Sequence, residues 1–208
     1  MGVKDVVSGD SGKFLILAFT LLVVSLLIVF AMNSGLYSPT GQLLNNRETY
    51  SEPDDELEDG IDYKILVSTV YGDIRIDLFE TLAPKNVNSL LFLIGERYYE
   101  GLTIHKVIKN FVIQTGDAKG DGFGDPGYTV EKENVVPFND YDVGMANASQ
   151  FFIVMQNSDK SSLDGTYSVV GRVFEGFAVL DSIQKAEVNR DYRPLNDIII
   201  KSIQIQEG

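Results

Sequence analysis

The chain reads as mainly β: a closed antiparallel barrel with helices capping its ends, preceded by one N-terminal transmembrane helix. Three observations predict this. Short β-rich runs, several of them alternating apolar and polar residues, recur from residue 63 to residue 206. Two stretches, opening at Ala83-Pro84 and at Glu175-Gly176, carry a helical apolar stripe instead. Ahead of both stands Phe14–Met32, nineteen residues with no charge and only Thr20 and Ser25 polar. Many short strands with few helices suit a barrel, because closure removes the unpaired edges of an antiparallel sheet.

Size and composition narrow the function. A chain of 208 residues holds one ordinary domain with extras. A formal net charge of −13 argues against nucleic-acid binding, which needs a basic surface to displace counterions. With no cysteine, disulfides, thiolate metal sites and cysteine nucleophiles are excluded. The single histidine, His105, rules out any site that needs two imidazoles. In its apolar surroundings it reads as a structural residue, satisfied within the fold.

Residues 1–13 form a short polar tail, expected in the cytoplasm. Met-Gly opens the chain, but Val6 stands where a myristoylation signal needs Ser or Thr. As a helix, 14–32 would span ~28 Å, about the hydrocarbon thickness of a bilayer. The rival reading is a signal peptide cleaved near Val29-Phe30-Ala31; the apolar run is long for that. Lys4 and Lys13 precede the helix, and the first basic residue after it is Arg47. The positive-inside rule then places the N-terminus in the cytoplasm and the rest outside. Residues 33–61 read as an acidic flexible linker, with seven carboxylates between Glu48 and Asp59 and no apolar periodicity. Their spacing does not match a calcium loop.

The folded domain is expected over 62–208. Lys64–Val70 and Ile74–Phe79, separated by Tyr71-Gly72-Asp73, predict a hairpin; Ile74, Ile76 and Leu78 alternate with Arg75 and Asp77. Pro84 opens the first helix, with Val87, Leu90, Leu91 and Ile94 on one stripe and Gly95 at its exit. Phe177, Leu180 and Ile183 share a face of the second. Ile198–Gln206 is the closing strand. Gly122-Phe123-Gly124-Asp125-Pro126-Gly127 spells a dinucleotide motif, but no helix follows and Asp121 and Asp125 would repel a pyrophosphate. It reads as a turn. Asn147-Ala148-Ser149 is formally a glycosylation sequon inside a motif and is discounted.

The chemistry concentrates in Ile104–Asp117, where Lys106, Phe111 and Gln114 follow closely in an apolar run. A ring-sized apolar pocket beside one cation and one amide is poor equipment for hydrolysis. It suits holding a peptide and acting on it electrostatically. Met145-Ala146-Asn147-Ala148-Ser149-Gln150-Phe151-Phe152-Ile153 adds an aromatic edge, and Leu163-Asp164-Gly165 an aliphatic one. Taken in order, these stretches resemble the core motifs of the cyclophilin-type peptidyl-prolyl cis-trans isomerases, from about Lys64 to about Gln206.

The resemblance implies an eight-stranded barrel with two helices, isomerase activity toward proline-containing peptide segments, and no cofactor or metal. It assigns Lys106, Phe111 and Gln114 to catalysis. It assigns Phe152 and Leu163, with Phe111, to the proline pocket, Ala146 and Asn147 to backbone pairing with the peptide, and Tyr167 to the groove wall. Several positions depart from the family pattern. Lys106 replaces an arginine, Ser162 a tryptophan and Tyr167 a histidine. A Gly/Asn-rich loop common after the position of Ala148 is missing, and the join from Asn134 to Val143 is short. Two functions therefore stay open. One is a membrane-anchored isomerase that assists the folding of exported or cell-surface proteins. The other is a weak or inactive proline-peptide binding or scaffold module on the same fold.

Overall fold

The computed structural model describes residues 49–207, apart from 52, 59 and 135. The expected tail, membrane helix and most of the linker lie outside the described residues. Among the described residues, no helix is long and apolar enough to cross a membrane.

The first two strands, β1 (Tyr63–Thr69) and β2 (Gly72–Leu78), form the predicted hairpin, with Thr69 facing Gly72 across the turn. The Thr69 hydroxyl accepts from Tyr71 N–H at 3.0 Å and donates to the Gly72 carbonyl at 2.9 Å. Next comes α1 (Pro84–Gly95), which buries Val87, Leu90, Leu91 and Ile94 as the stripe predicts. Its N-cap residue, Ala83, has no side-chain acceptor. The Glu133 carboxylate takes that role from a distant loop, accepting from Lys85 N–H at 2.8 Å and Asn86 N–H at 2.7 Å.

The remaining strands are β3 (Lys106–Ile108), β4 (Val112–Thr115), β5 (Asp142–Met145), β6 (Phe151–Val154), β7 (Ser168–Glu175) and β8 (Ile200–Glu207). Between β7 and β8 lies α2 (Phe177–Ile183). Leu180 and Ile183 are buried there, but Phe177 is 39% exposed and rests on the Tyr141 ring at 4.7 Å.

All eight strands join one antiparallel sheet in the order β3-β4-β6-β5-β7-β2-β1-β8. The expectation of a closed barrel needs correcting, because β3 and β8 are unpaired ends and the sheet is an open half-barrel. The physical reason lies in the residues flanking them. Val107 N–H, in β3, is taken by the Tyr192 carbonyl at 2.8 Å, and Ile104 N–H by Ile198 at 2.8 Å. Irregular backbone and one isolated bridge, Thr103 to Ile199, fill the place of a β3–β8 ladder.

Successive residues of β6 point to opposite faces and enter different cores. Phe151 and Ile153 join the main core with α1, β1, β2 and β8. Phe152 and Val154 join a second cluster with Val112, Phe138, Leu163 and Val169.

The described end of the 33–61 stretch packs on the domain. Tyr50 N–H donates to the Pro126 carbonyl at 2.7 Å, and the Tyr50 ring meets Phe92 edge-on at 5.2 Å. Asn88 on α1 accepts from Glu56 N–H at 2.7 Å and donates to the Asp54 carbonyl at 2.8 Å. Leu57 and Ile61 lie against the main core.

Candidate active site

Strand register builds the site. Lys106 of β3 faces Gln114 of β4, Gln114 faces Phe152 of β6, and Phe152 faces Gly144 of β5. Directly opposed residues share a face of a sheet, so cation, amide and aromatic stand in one row across three strands. Gly144 ends the row because the rings need its space. A methyl there would come within 2.7 Å of Phe138 Cζ and would also strike Phe152. The Phe152 ring is held on two sides, by Phe138 at 5.5 Å and by Tyr167 edge-on at 5.2 Å.

This row opens into a groove of about 320 Å³. Lys106, Phe111, Gln114, Ala146, Asn147, Phe152, Leu163 and Tyr167, the eight residues singled out in the sequence, all line it. So do Ile108, Val112 and Gln150, which sequence reading missed, and Gly122 of the Gly-rich stretch, which the family resemblance implies is a loop beside the groove. Phe111 is placed by the turn between β3 and β4, where its N–H donates to Ile108 at 3.0 Å and Asn110 takes a φ of 58°. Leu163 forms part of the cluster beneath the groove. Ser162 is exposed and does not line it.

Gln150 is the most informative omission. It is 1% exposed, and its Nε2 donates to the carbonyls of Gly124 at 2.8 Å and Gly122 at 3.2 Å. Carbonyls only accept, so the amide nitrogen must lie on their side. Its Oε1 is thereby turned to Gln114, whose Nε2 donates to it at 2.8 Å. Gln114 in turn keeps its own Oε1 for the groove. A buried amide thus fixes which end of Gln114 faces a ligand.

The Gly-rich stretch is a loop, as predicted, and it is built around Asp117. That carboxylate is buried and accepts from Lys119 N–H at 2.8 Å and from Gly122 N–H. Gly122 and Gly127 take φ of 91° and 101°, where a side chain is strained. Asn147 is consumed by its own turn: Oδ1 accepts from Gln150 N–H at 2.7 Å and from Ser149 N–H at 3.0 Å, and Nδ2 donates to Gly124 at 2.9 Å. Its backbone, not its side chain, is what it can offer a peptide.

Lys106 is half-buried, and among the described residues its side-chain ammonium has no ion-pair or hydrogen-bond partner. Its ammonium faces the groove without a carboxylate to neutralise it. On the other side His105 is buried, yet neither ring nitrogen has a hydrogen-bond partner among the described residues. The expected satisfied histidine is structural but unsatisfied. Burial holds its pKa below the ordinary 6.5; Lys106 and Arg193 add to that effect, and Asp117 and Asp121 oppose it.

An apolar seat, one free cation and one oriented amide acceptor can hold a small ring and polarise the bond beside it. Comparison with known proteins agrees. Residues 64–205 match the family described as "Cyclophilin type peptidyl-prolyl cis-trans isomerase/CLD". Peptidyl-prolyl cis-trans isomerase-like 3 of Gallus gallus is 39% identical over 158 residues, covering 68% of this chain and 94% of that protein. A putative peptidyl-prolyl cis-trans isomerase of Staphylococcus haemolyticus is 30% identical over 195 residues, covering 76% of this chain and 98% of that protein. The crystal structure of a Cryptosporidium parvum cyclophilin type peptidyl-prolyl cis-trans isomerase, in the presence of the dipeptide Ala-Pro, superposes with a TM-score of 0.63. It is 32% identical and covers 70% of this chain and 99% of that one. With the match running from the first strand into the last, and the groove residues falling within it, this chain belongs to the cyclophilin-type peptidyl-prolyl cis-trans isomerase family.

Proposed function

We propose that the chain isomerises Xaa–Pro bonds in exported or cell-surface proteins, held at the membrane by 14–32 with its isomerase domain outside. The observation that carries the catalytic part is the row of Lys106, Gln114 and Phe152 on one groove wall, with the cation unpaired among the described residues. Rotation about the prolyl bond is slow because the amide is conjugated. In the twisted transition state the prolyl nitrogen gains a lone pair. A fixed ammonium aimed at that nitrogen binds the twisted form better than either planar isomer. Phe111, Phe152 and Leu163 seat the ring, the Gln114 carbonyl accepts from the peptide backbone, and the backbone of Ala146 and Asn147 aligns the chain. The steps need no proton transfer.

A second reading, a proline-peptide binding module, is favoured by one feature. Lysine at 106 keeps the charge but lacks the planar fork of the family's arginine. Exchange NMR on an Ala-Pro peptide separates the two readings, because one sample gives both rate and affinity. In the isomerase, Lys106→Ala lowers kcat and kcat/KM together, the signature of an interaction made only in the transition state. Lys106→Arg raises both about tenfold, equivalent to ~1.4 kcal/mol. Affinity changes little in either variant. Binding without exchange enhancement, in the wild type and in Lys106→Arg alike, would establish the binding module instead.

A further inference from the structure

At the start of the segment 49–58, Thr49 and Tyr50 lie against the far end of the Gly-rich loop, at Pro126 and Gly127. Tyr50 N–H donates to the Pro126 carbonyl at 2.7 Å. The backbone of Thr49 and Tyr50 passes so close to Gly127 that a methyl there would sit 2.6 Å from the Tyr50 carbonyl oxygen and 3.1 Å from Thr49 Cβ. Earlier in the same loop stand Gly122 and Gly124, whose carbonyls hold Gln150 and, from Gly124, Asn147. Gln150 holds Gln114. An unbroken series of contacts therefore runs from Tyr50 through the loop to the amide that faces the groove.

We infer that this strap is a positioning element for the peptide site, and that Tyr50 is its key residue. The inference rests on reading the groove as a prolyl-peptide site. The loop from Asp117 to Gly127 contains four glycines and no regular secondary structure, so its backbone loses much entropy when ordered. Asp117 fixes its near end at Gly122. The strap fixes its far end at Pro126 and Gly127. Holding both ends before a ligand arrives removes an ordering cost from binding. The strap is itself anchored away from the loop, by the Tyr50 ring on Phe92 and by Asn88 on the Asp54–Glu56 backbone. It can therefore be released without touching a groove residue.

The test uses the full chain carrying Tyr50→Ala together with Asn88→Ala. Amide hydrogen exchange at Gly122 and Gly127, without peptide, reads the loop directly; exchange NMR on an Ala-Pro peptide reads the site. The expected result is faster exchange at both glycines and affinity weakened about fivefold, the scale of leaving one side chain to be ordered on binding. Turnover of the saturated complex stays close to wild type. Tyr50→Phe, which keeps the ring on Phe92, behaves as wild type. Ile183→Val in α2 serves as a control that lowers stability without reaching the loop. A double variant whose loses only stability, with loop exchange and affinity matching that control, overturns the inference. A wild type that does not bind the peptide overturns the functional reading instead, and loop exchange still decides whether the strap holds the loop.

Discussion

Behind the groove, His105 sits where its protonation is opposed by burial. An unfolded histidine takes a proton near 6.5; the buried one resists until a lower pH. Between those values the unfolded chain binds more protons, so the contribution of this group to stability is complete above about 6.5 and is lost as pH falls below it. The slope cannot exceed about 1.4 kcal/mol per pH unit for one proton. Urea unfolding of wild type and His105→Phe between about pH 7 and pH 5 should show a steeper loss in the wild type. Identical pH profiles would contradict it. The neighbouring groove residues were legible because each stands in a dense local motif. Gln150 was not, because its importance comes from partners far along the chain, Gln114 and the Gly122 carbonyl, that no spacing encodes.

At the level of elements, Glu133 shows how a helix start is completed from outside. Ala83 signals no cap, and Pro84 explains only why the helix tolerates its first turn there. The carboxylate of Glu133 accepts two backbone N–H groups and the Asn86 side chain at 2.7 Å, at the positive end of the helix dipole. Glu133→Ala should cost about 1–2 kcal/mol in chemical denaturation, and Glu133→Gln less, since an amide oxygen still accepts. A loss under a few tenths in the alanine variant would show that solvent replaces the cap fully. Both helices and the β1–β2 hairpin were readable because their apolar periods are long enough to be unambiguous. Strand β3, with three residues, has no period to read and is defined by its partner. The strap was read as part of a linker because Tyr50, Leu57 and Ile61 follow neither the helix nor the strand period.

For the whole molecule, the proposed topology makes a prediction that the strap sharpens. Protease added to intact cells should release a folded domain, with cuts before Thr49, since the chain from there on is bound to the domain. A domain protected until the cells are opened would reverse the assignment. Barrel curvature was legible in the number of short strands, whereas closure was not, because it depends on whether two distant irregular segments become a ladder. The strand order carries a further consequence, in the timing of synthesis. β1 is the first strand of the domain to be made and β8 the last, yet they lie side by side through most of their length. Until Ile200–Glu207 emerges, β1 has one neighbour, and its other edge is open to any strand it meets. Local pairing cannot bridge that interval, since the partner is more than a hundred residues away. A ribosome or translocon delivering this chain from its N-terminus therefore has to release nearly all of it before the domain can finish folding.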